Sequence, residues 1–367
     1  MTITATSWSA AEAKFTQNLS GSTSVAAGFM GSDAGYTIDL GSTRVLWVFG
    51  DTFWATAAGK TRAQCSFIRN CVALQTVSYD LSASTMTWYT GGSAGSPLPF
   101  FNWRADSSGT PRWFWPNSGI LLDDKLLIML SAFVPYPEGP VGFQFKYQGT
   151  QAVLCDLLSG TPDTWTQMYV PTPTQRDNGI HFGLSMIDNG DGYVYCWGSG
   201  SGNKWYLARW DRSKAKSGDL MDPDWWTDIG WSKRYPSQVG LKSYPRINNN
   251  YQLVADVNQN NGTVNKRSDT KWQQLMIPQY PGTTFAYSQM NSGPDATFPA
   301  VTNFYNLPEA GDNTIVCYAG LGHPEQTFSG KASDDIVVTY ATNAAGSGNV
   351  YTDMDTYFHR VVKVTGI

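Results

Sequence analysis

Two aspartates, Asp33 and Asp51, flank the turn of the most apolar β-hairpin in the sequence. The hairpin turns near Ser42, nine residues after Asp33 and nine residues before Asp51. Antiparallel pairing about that turn brings both carboxylates to the open end of two adjacent strands. Glycoside cleavage requires two such groups, because one carboxyl protonates the leaving oxygen while the other activates water or attacks the anomeric carbon. We therefore expect Asp33 and Asp51 to form a carboxylate pair with unequal pKa values.

Each aspartate also has a purely structural interpretation. Asp33 lies in the segment G-S-D-A-G, where an aspartate can cap a turn. Asp51 follows a strand, where it can bond to backbone amides. The two aspartates lie at equal distances from one turn in the most apolar hairpin. The functional interpretation is therefore as well supported as the structural ones.

Two strands of contrasting pattern are expected to position the pair. Residues 36–40 alternate, with Tyr36, Ile38 and Leu40 on one face. Residues 45–49 are apolar at every position, which indicates a strand buried on both faces.

A pattern of alternating strand, turn and apolar strand recurs along the chain, which indicates an all-β protein. The turn centres lie near residues 42, 123, 190, 249 and 310, and the last predicts a hairpin within 299–320. This spacing matches a four-stranded blade with long loops, so we predict a single five-bladed β-propeller domain over residues 1–367. A β-sandwich is the alternative, but its turns recur every ~8–12 residues without a longer period. Helices are expected only at 10–17 and near 211–221.

The composition limits the partners of the protein. A net charge of −4 and a pI near 5.4 argue against a nucleic acid or an anionic membrane surface, and a neutral polymer fits better. Fifteen tryptophans are more than a core readily buries, so some should offer flat faces to sugar rings or nucleobases. No apolar run approaches the ~20 residues that span a bilayer. We therefore expect a polysaccharide partner, without nucleic acid and without membrane insertion.

The sequence offers no metal or cofactor signature. It has no CxxC or HExxH motif, so no metal and no cofactor is expected. Cys155, Cys196 and Cys317 lie in apolar runs and are expected in the core. Cys65 and Cys71 lie in a polar loop, where they either close a small disulfide or stay reduced. The N-terminus lacks the features of a signal peptide, so an extracellular location implies a trimmed signal or export on a phage particle.

Three segments of the first 133 residues resemble one known family. D-A-G-Y-T-I-D-L and V-L-W-V-F-G-D-T-F-W within 33–54, S-F-I-R-N-C-V-A-L-Q-T at 66–76 and R-W-F-W-P-N-S-G-I-L-L-D-D-K-L-L-I-M-L at 112–130 are similar to the five-bladed endo-D-arabinanases of glycoside hydrolase family 183. The likeness is specific over residues 28–133 and looser beyond. It implies inverting hydrolysis of α-linked D-arabinofuranosyl chains, such as the arabinan of mycobacterial cell walls, with Asp33 and Asp51 as catalytic residues. By analogy with other five-bladed glycosidases, Asp33 is expected to be the base and Asp51 the acid.

Further residues are expected at the same mouth as the two aspartates. Arg69 and Asn70 precede an alternating strand, and Asn70 matches a family position that contacts sugar hydroxyls; a loop asparagine bonded to its own backbone is the alternative. Candidate substrate-binding residues on the next two repeats are Trp113, Trp115, Asn117 and His181.

Two further residues, His323 and Glu325, lie in L-G-H-P-E of the last repeat and could also reach the rim. The same residues would serve the alternative function, a non-catalytic glycan-binding propeller such as a phage adhesion module. Cleavage of another furanoside or pyranoside is a third alternative, because a fold does not fix its substrate.

An inverting mechanism predicts a distance. The two carboxyl groups of an inverting enzyme lie about 6.5–9.5 Å apart, whereas a retaining pair lies about 5 Å apart. Directly paired strand residues would give the shorter value. We therefore expect a bulge or a flare of the strands beyond Tyr36 or Phe49.

Overall fold

The structure is a computed structural model that describes residues 3–103, 111–140, 142–156, 160–173, 180–200, 204–233, 243–244 and 262–367. Nearly all of its regular structure is antiparallel β-sheet. The chain folds into two compact units. Unit 1 comprises residues 1–102, 275–287 and 302–367, and unit 2 comprises residues 103–274 and 288–301.

The first half of the chain carries strands β1 to β16. They are β1 (Thr4–Ser7), β2 (Leu19–Ser20), β3 (Thr23–Ser24), β4 (Gly28–Ser32), β5 (Tyr36–Asp39), β6 (Val45–Phe49), β7 (Thr52–Ala55), β8 (Ser66–Ile68), β9 (Cys71–Thr76), β10 (Thr85–Tyr89), β11 (Gly91–Ser93), β12 (Ser96–Leu98), β13 (Trp113–Leu122), β14 (Lys125–Pro135), β15 (Phe145–Asp156) and β16 (Thr166–Val170).

The second half carries strands β17 to β29. They are β17 (His181–Asp188), β18 (Tyr193–Gly200), β19 (Lys204–Asp211), β20 (Asp224–Thr227), β21 (Gly230–Ser232), β22 (Ser243–Tyr244), β23 (Gly262–Ser268), β24 (Lys271–Met276), β25 (Thr284–Met290), β26 (Thr302–Asn306), β27 (Ile315–His323), β28 (Ile336–Ala344) and β29 (His359–Thr365). The α-helices are α1 (Ser9–Thr16) and α2 (Arg212–Ser217), and single 3-10 turns cover Arg62–Gln64, Leu81–Ala83 and Pro162–Thr164.

The sheet that contains the predicted carboxylate hairpin has the order β10-β9-β6-β5. Its inner hairpin pairs Tyr36 with Val48 and Asp39 with Val45, so the register is centred on residue 42 as predicted. Left-handed backbone at Ser42 and Thr43 closes the turn. Every residue of β6 is buried, which confirms the prediction of a strand buried on both faces from its continuous apolar run.

A second sheet of unit 1, β1-β29-β28-β27, joins the two ends of the chain, with Thr4 paired to Thr365. Helix α1 packs on this unit through Ala11 and Phe15, which are buried. The Phe15 ring meets the edge of Trp47 at a centroid distance of 5.4 Å. A smaller sheet, β4-β7-β8, lies in the same unit and runs directly into the segments that carry the two aspartates.

Unit 2 contains two larger sheets. One has the order β13-β14-β15-β16 and the other has the order β17-β18-β19-β20-β21, with β22 pairing to β19. The turns predicted near residues 123 and 190 connect β13 to β14 and β17 to β18. Asp211 caps helix α2 by accepting from the amides of Ser213 and Lys214, and Gly218 ends the helix in the left-handed conformation.

The two strands within 299–320 do not pair with one another. The hairpin predicted there is wrong, because β26 pairs with β25 while β27 pairs with β28. An apolar strand on each side of a turn does not reveal whether the two strands pair with one another or with other neighbours. The turn predicted near residue 249 lies outside the described residues.

The cysteines are all free thiols. Cys71 is buried on β9 and its sulfur accepts from the Thr52 hydroxyl, so the disulfide considered for Cys65 and Cys71 is not formed. Cys155, Cys196 and Cys317 are core residues, as predicted.

The predicted fold class, all-β and of the β-propeller type, is confirmed: the larger sheets are antiparallel meanders of the kind from which propeller blades are built. The count of five blades and the single domain over residues 1–367 stay predictions.

Candidate active site

Asp33 and Asp51 face one another across an irregular end of the first hairpin. The Asp33 amide donates to the Asp51 carbonyl at 3.3 Å, and the Gly50 amide donates to the Asp33 carbonyl at 3.0 Å. Both Gly50 and Asp51 thus bond to Asp33, so the hydrogen bonding is irregular at this point. A bulge or a flare was expected beyond Tyr36 or Phe49, but neither strand gains a residue, because Ser32 pairs with Thr52 in the same register as Tyr36 with Val48.

The backbone after Asp33 is held in a strained conformation. Ala34 has a φ of 49°, a left-handed value that costs a residue with a β-carbon about 1 kcal/mol. The His359 ring Nε2 donates to the Ala34 carbonyl and keeps it there. The same ring leaves no room at Gly35, where an added Cβ would lie 2.6 Å from Nε2. His359 therefore positions the segment that carries Asp33.

His359 acts in this role as an uncharged ring. It is buried beside Phe15 and Phe49, with ring centroids at 5.1 and 5.2 Å. Burial lowers its pKa to about 4, so the imidazole is neutral at physiological pH. Donation to a carbonyl requires the proton on Nε2, and we assign that tautomer from the hydrogen bond.

Gly50 provides the space into which the Asp33 carboxyl fits. A Cβ added at Gly50 would lie 2.4 Å from Asp33 Oδ1, whereas real Cβ contacts do not approach so closely. The clash is with the end of a side chain and not with backbone, so the carboxyl would move and the sheet would not.

Gly50→Ala is therefore expected to lower kcat/KM of a reaction catalysed by the Asp33 carboxyl at least tenfold with little change in thermal stability, because a catalytic group displaced by about 1 Å loses much of its effect. Gly95→Ala is the matched control, since an added Cβ there meets nothing within 4 Å. Assays on both variants at one pH would check this. Unchanged activity in Gly50→Ala would show that the Asp33 carboxyl is not used where the structure places it.

The Asp33 carboxyl holds its proton unusually tightly. Burial raises its pKa from 3.8 to about 8, and the negative charge of Asp51 adds to the effect. The Tyr318 hydroxyl donates to Asp33 Oδ2 at 3.2 Å and opposes the rise. Asp33 is enclosed by protein on most sides but keeps a partly exposed surface. At neutral pH it is consequently a protonated acid with a path to the solvent.

The Asp51 carboxylate has a different environment. It accepts from Arg69 Nη1 at 3.1 Å, and its side chain is 12% exposed while that of Arg69 is 37% exposed. A guanidinium at this distance favours the charged carboxylate. The hairpin therefore presents one protonated carboxyl and one paired carboxylate side by side, the two states that acid and base catalysis require.

Two tyrosines complete the enclosure within unit 1. Tyr357 is buried with a φ of 62°, and its pKa is raised by burial and then by the charges of Asp33 and Asp51. The Tyr280 ring is half-buried and meets Tyr318 edge-on at a centroid distance of 6.1 Å. Its pKa is raised by burial and by the Asp33 charge, which places it close to that carboxyl.

Arg62 fastens the segment that leads to Tyr357. Its buried guanidinium donates to the carbonyls of Met30, Val350, Asp353 and Thr356 at 2.7 to 3.0 Å. Burial lowers the pKa of Arg62 to about 10, so it stays charged at neutral pH. No motif spacing connects Asp33 with Arg62, Tyr318, Tyr357 or His359, so these residues were not predicted from the sequence.

The remaining predicted residues of unit 1 have mixed outcomes. Arg69 lies at the pair, as expected. Asn70 is fully buried, and its side-chain amide donates to and accepts from the backbone of Phe101 at 3.0 and 2.8 Å. This geometry gives no support to a sugar contact by Asn70. His323 is also fully buried between the hydroxyls of Thr37 and Thr339, so its predicted approach to the rim is wrong.

The candidates on unit 2 form an aromatic cluster of their own. Trp115 is half-buried and lies 4.3 Å from Phe133 and 4.7 Å from Phe145 between ring centroids. His181 stacks on Tyr147 at 3.5 Å, and burial lowers its pKa to about 3, so its ring is uncharged. Trp113 is buried, while Asn117 donates to the Ser131 hydroxyl at 2.8 Å. Substrate contact by Trp113, Trp115, Asn117 and His181 stays a prediction.

Among the described residues, no group of three or more His, Cys, Asp or Glu side chains could hold a metal ion. The helices in the same part of the chain are all too short or too polar to cross a membrane.

Comparisons with known proteins show the family of the chain and a shared fold. The chain belongs to the family described as "Domain of unknown function (DUF5005)", whose model matches residues 17–366. A search of curated protein sequences found no match.

Among solved structures, the chain is similar to one from Bacteroides ovatus described as a proposed hydrolase. The two share 16% identity and a TM-score of 0.71, over 99% of this chain and 91% of that chain. This likeness shows a shared fold.

More distant similarities reach two named enzymes. The GH43_1 enzyme from Xanthomonas citri complexed with xylotriose has 8% identity and a TM-score of 0.45, over 97% of this chain and 92% of that one. The Trypanosoma rangeli sialidase in complex with the inhibitor DANA has 12% identity and a TM-score of 0.40, over 94% of this chain and 46% of the sialidase.

Proposed function

We propose that the protein is a glycoside hydrolase that uses Asp33 and Asp51 as its two catalytic carboxyl groups. The observation that carries the proposal is the unequal electrostatics of the pair. One carboxyl is protonated because its pKa is raised, and the other is a carboxylate paired with Arg69 at the same end of the hairpin. Two carboxyl groups with separated protonation states are the machinery of glycoside hydrolysis.

Within this proposal, Asp33 is the general acid and Asp51 is the general base. Asp33 gives its proton to the leaving glycosidic oxygen, while Asp51 accepts a proton from the water that attacks the anomeric carbon. This order is opposite to the one expected by analogy with other five-bladed glycosidases. It is supported by the raised pKa of Asp33 and by the guanidinium at Asp51.

We further propose an inverting reaction on a neutral furanose polysaccharide. The inverting outcome is the one that the resemblance in the sequence implies, and it requires a carboxyl separation that leaves room for a water. Arg69 pairs with Asp51, and the Arg62 guanidinium is bonded to four carbonyls. A neutral sugar suits such a site better than an acidic one. The resemblance in the sequence implies α-D-arabinofuranosyl chains as the substrate.

The acid assignment predicts a pH profile for kcat/KM. Because Asp33 must be protonated, activity should fall as the pH rises through about 8. It should also fall at low pH, where Asp51 becomes protonated. Initial rates between pH 4 and 10 on one soluble oligosaccharide would measure both limbs. An alkaline limb below pH 6 would contradict the role of Asp33 as acid.

A panel of D-arabinan, L-arabinan, galactan and fructan would identify the substrate. We expect the release of oligosaccharides from D-arabinan and no release from the other polymers. If oligosaccharides were released from another polymer alone, the protein would still be a hydrolase, but D-arabinan would not be its substrate. A glycan-binding protein without activity would migrate more slowly in a gel that contains D-arabinan. It would release no reducing ends from any polymer.

A further inference from the structure

We propose that Tyr318, oriented by Asn343, is a positioning residue that holds the Asp33 carboxyl and sets how readily it gives up its proton. The inference rests on the function proposed above and adds two residues to that site.

An irregularity in β27 places the Tyr318 ring. Tyr318 pairs with Ala341 and Leu321 pairs with Thr339, so the register with β28 shifts between them. Ala319 has a φ of 52°, a left-handed value that a regular strand does not contain. The left-handed Ala319 makes this bulge conformationally unfavourable. The bulge brings the Tyr318 hydroxyl to 3.2 Å from Asp33 Oδ2.

Asn343 on the neighbouring strand fixes the direction of this hydrogen bond. Its side-chain oxygen accepts from the Ala344 amide at 2.8 Å, so the contact by which Asn343 lowers the pKa of Tyr318 comes from its amino group. A hydroxyl oxygen that accepts from Asn343 directs its own proton to Asp33. The chain of donors runs from Asn343 through Tyr318 to Asp33, and each link lies within unit 1.

The chemistry of an acid in this environment requires such a donor. The Asp51 carboxylate and the uncharged rings of Tyr280 and Tyr357 surround Asp33. The neutral His359 ring is bonded to the carbonyl of the next residue, Ala34. After proton transfer Asp33 is an anion. Its burial, the charge of Asp51 and the absence of a cation in contact with it among the described residues all destabilise that anion. The Tyr318 hydroxyl stabilises that anion, so without it the acid would retain its proton too tightly to protonate a leaving oxygen.

Tyr318→Phe tests the inference, because it removes the hydroxyl and keeps the ring. We expect the alkaline limb of kcat/KM to move up by about one pH unit, which corresponds to the loss of one hydrogen bond to a charged group. We also expect kcat to fall about tenfold, with KM nearly unchanged. Asn343→Leu should move the same limb in the same direction by a smaller amount.

Tyr79→Phe is the matched control. The Tyr79 hydroxyl donates to Asp39 at 2.8 Å, so this variant removes the same kind of tyrosine–aspartate hydrogen bond at the closed end of the same hairpin. Its pH profile should equal that of the wild type.

The outcomes separate this inference from the proposed function. A Tyr318→Phe enzyme that is active with an unmoved alkaline limb would overturn the role of Tyr318, and so would movement of the acidic limb alone. If no polysaccharide is cleaved, the proposed function fails, but the hydrogen bond can still be tested by ¹³C NMR of labelled aspartate. The titration midpoint of Asp33 should rise in Tyr318→Phe and Asn343→Leu, and an equal midpoint in both variants and the wild type would overturn the inference.

Discussion

Asp33→Asn and Asp51→Asn should each lower the rate of polysaccharide hydrolysis by about 10³-fold or more. Asparagine has nearly the shape of aspartate but can neither donate an acid proton to the leaving oxygen nor accept one from water. Reducing-end release from D-arabinan measures the effect. Asp39→Asn is the matched control, because Asp39 lies exposed at the closed end of the same hairpin and should retain wild-type activity.

The Asp33 variant should also be more stable than the wild type at alkaline pH. The folded protein holds the Asp33 proton up to about pH 8, whereas the unfolded chain releases it near 3.8. The wild type therefore loses stability as the pH rises from about 4 to about 8, and the neutral amide does not. The gain in Tm of Asp33→Asn should grow over that interval and then level off. A constant difference between pH 4 and 8 would show that Asp33 is ionised in the folded protein.

Binding and cleavage of D-arabinan, measured on the same variants, distinguish an enzyme from a glycan-binding protein. In an enzyme, both asparagine variants bind D-arabinan and fail to cleave it. In a glycan-binding protein, the wild type also fails to cleave it, and the variants differ from it only in affinity. Full activity in either variant would remove that aspartate from the mechanism.

Arg62→Met should cause the largest loss of stability that we predict for a single substitution. Methionine fills much of the same volume but leaves four backbone carbonyls in unit 1 without their donor. Unsatisfied buried acceptors cost about 1–3 kcal/mol each before relaxation, so we expect a loss of about 3 kcal/mol or more. Urea unfolding followed by tryptophan fluorescence would measure the loss.

Arg69→Met is the control for the stability measurement. Its side chain is 37% exposed and pairs with Asp51, so the change should cost less than Arg62→Met, which removes four hydrogen bonds from a fully buried side chain. A loss below about 1 kcal/mol in Arg62→Met would show that the segment 350–357 is held by other contacts. The activity of Arg62→Met should also fall, because Tyr357 depends on that segment.

The sequence predicted the features that depend on neighbours along the chain. The register centred on residue 42 followed from the turn, and the burial of residues 45–49 followed from their continuous apolar run. A bulge or a flare beyond Tyr36 or Phe49 was expected from the separation that inverting carboxyl groups need. The hydrogen bonding is irregular at Gly50 and Asp51, but the register continues to Ser32 and Thr52 without an extra residue.

The features that the sequence did not predict depend on distant strands. Tyr318 reaches Asp33 from a position 285 residues away, and no spacing rule connects the two. The hairpin within 299–320 failed for a related reason, because hydrophobic pattern identifies strands but not their partners. The bonds of Asn70 to the Phe101 backbone were also not predicted, because a loop asparagine and a buried asparagine bonded to a distant backbone look alike in sequence.

The order of acid and base shows how the two kinds of information differ. Analogy with other propeller glycosidases made Asp33 the base, since it opens the first strand. The environment of the two groups favours the opposite order, because burial and Asp51 keep the proton on Asp33 while Arg69 keeps Asp51 charged. Position along a chain does not determine a protonation state, whereas the dielectric surroundings and nearby charges do.

The central claim is that Asp33 and Asp51 hydrolyse a glycosidic bond with a water between them. ¹H NMR of the first product formed from a defined α-D-arabinofuranosyl oligosaccharide tests it most directly, because the anomeric signal reports both cleavage and stereochemistry before mutarotation. We predict a β-configured reducing end in the first spectra, followed by equilibration to the mixture of anomers. A first product with the α configuration would contradict the inverting arrangement, and the absence of any product under conditions where the protein binds the oligosaccharide would contradict the hydrolase itself.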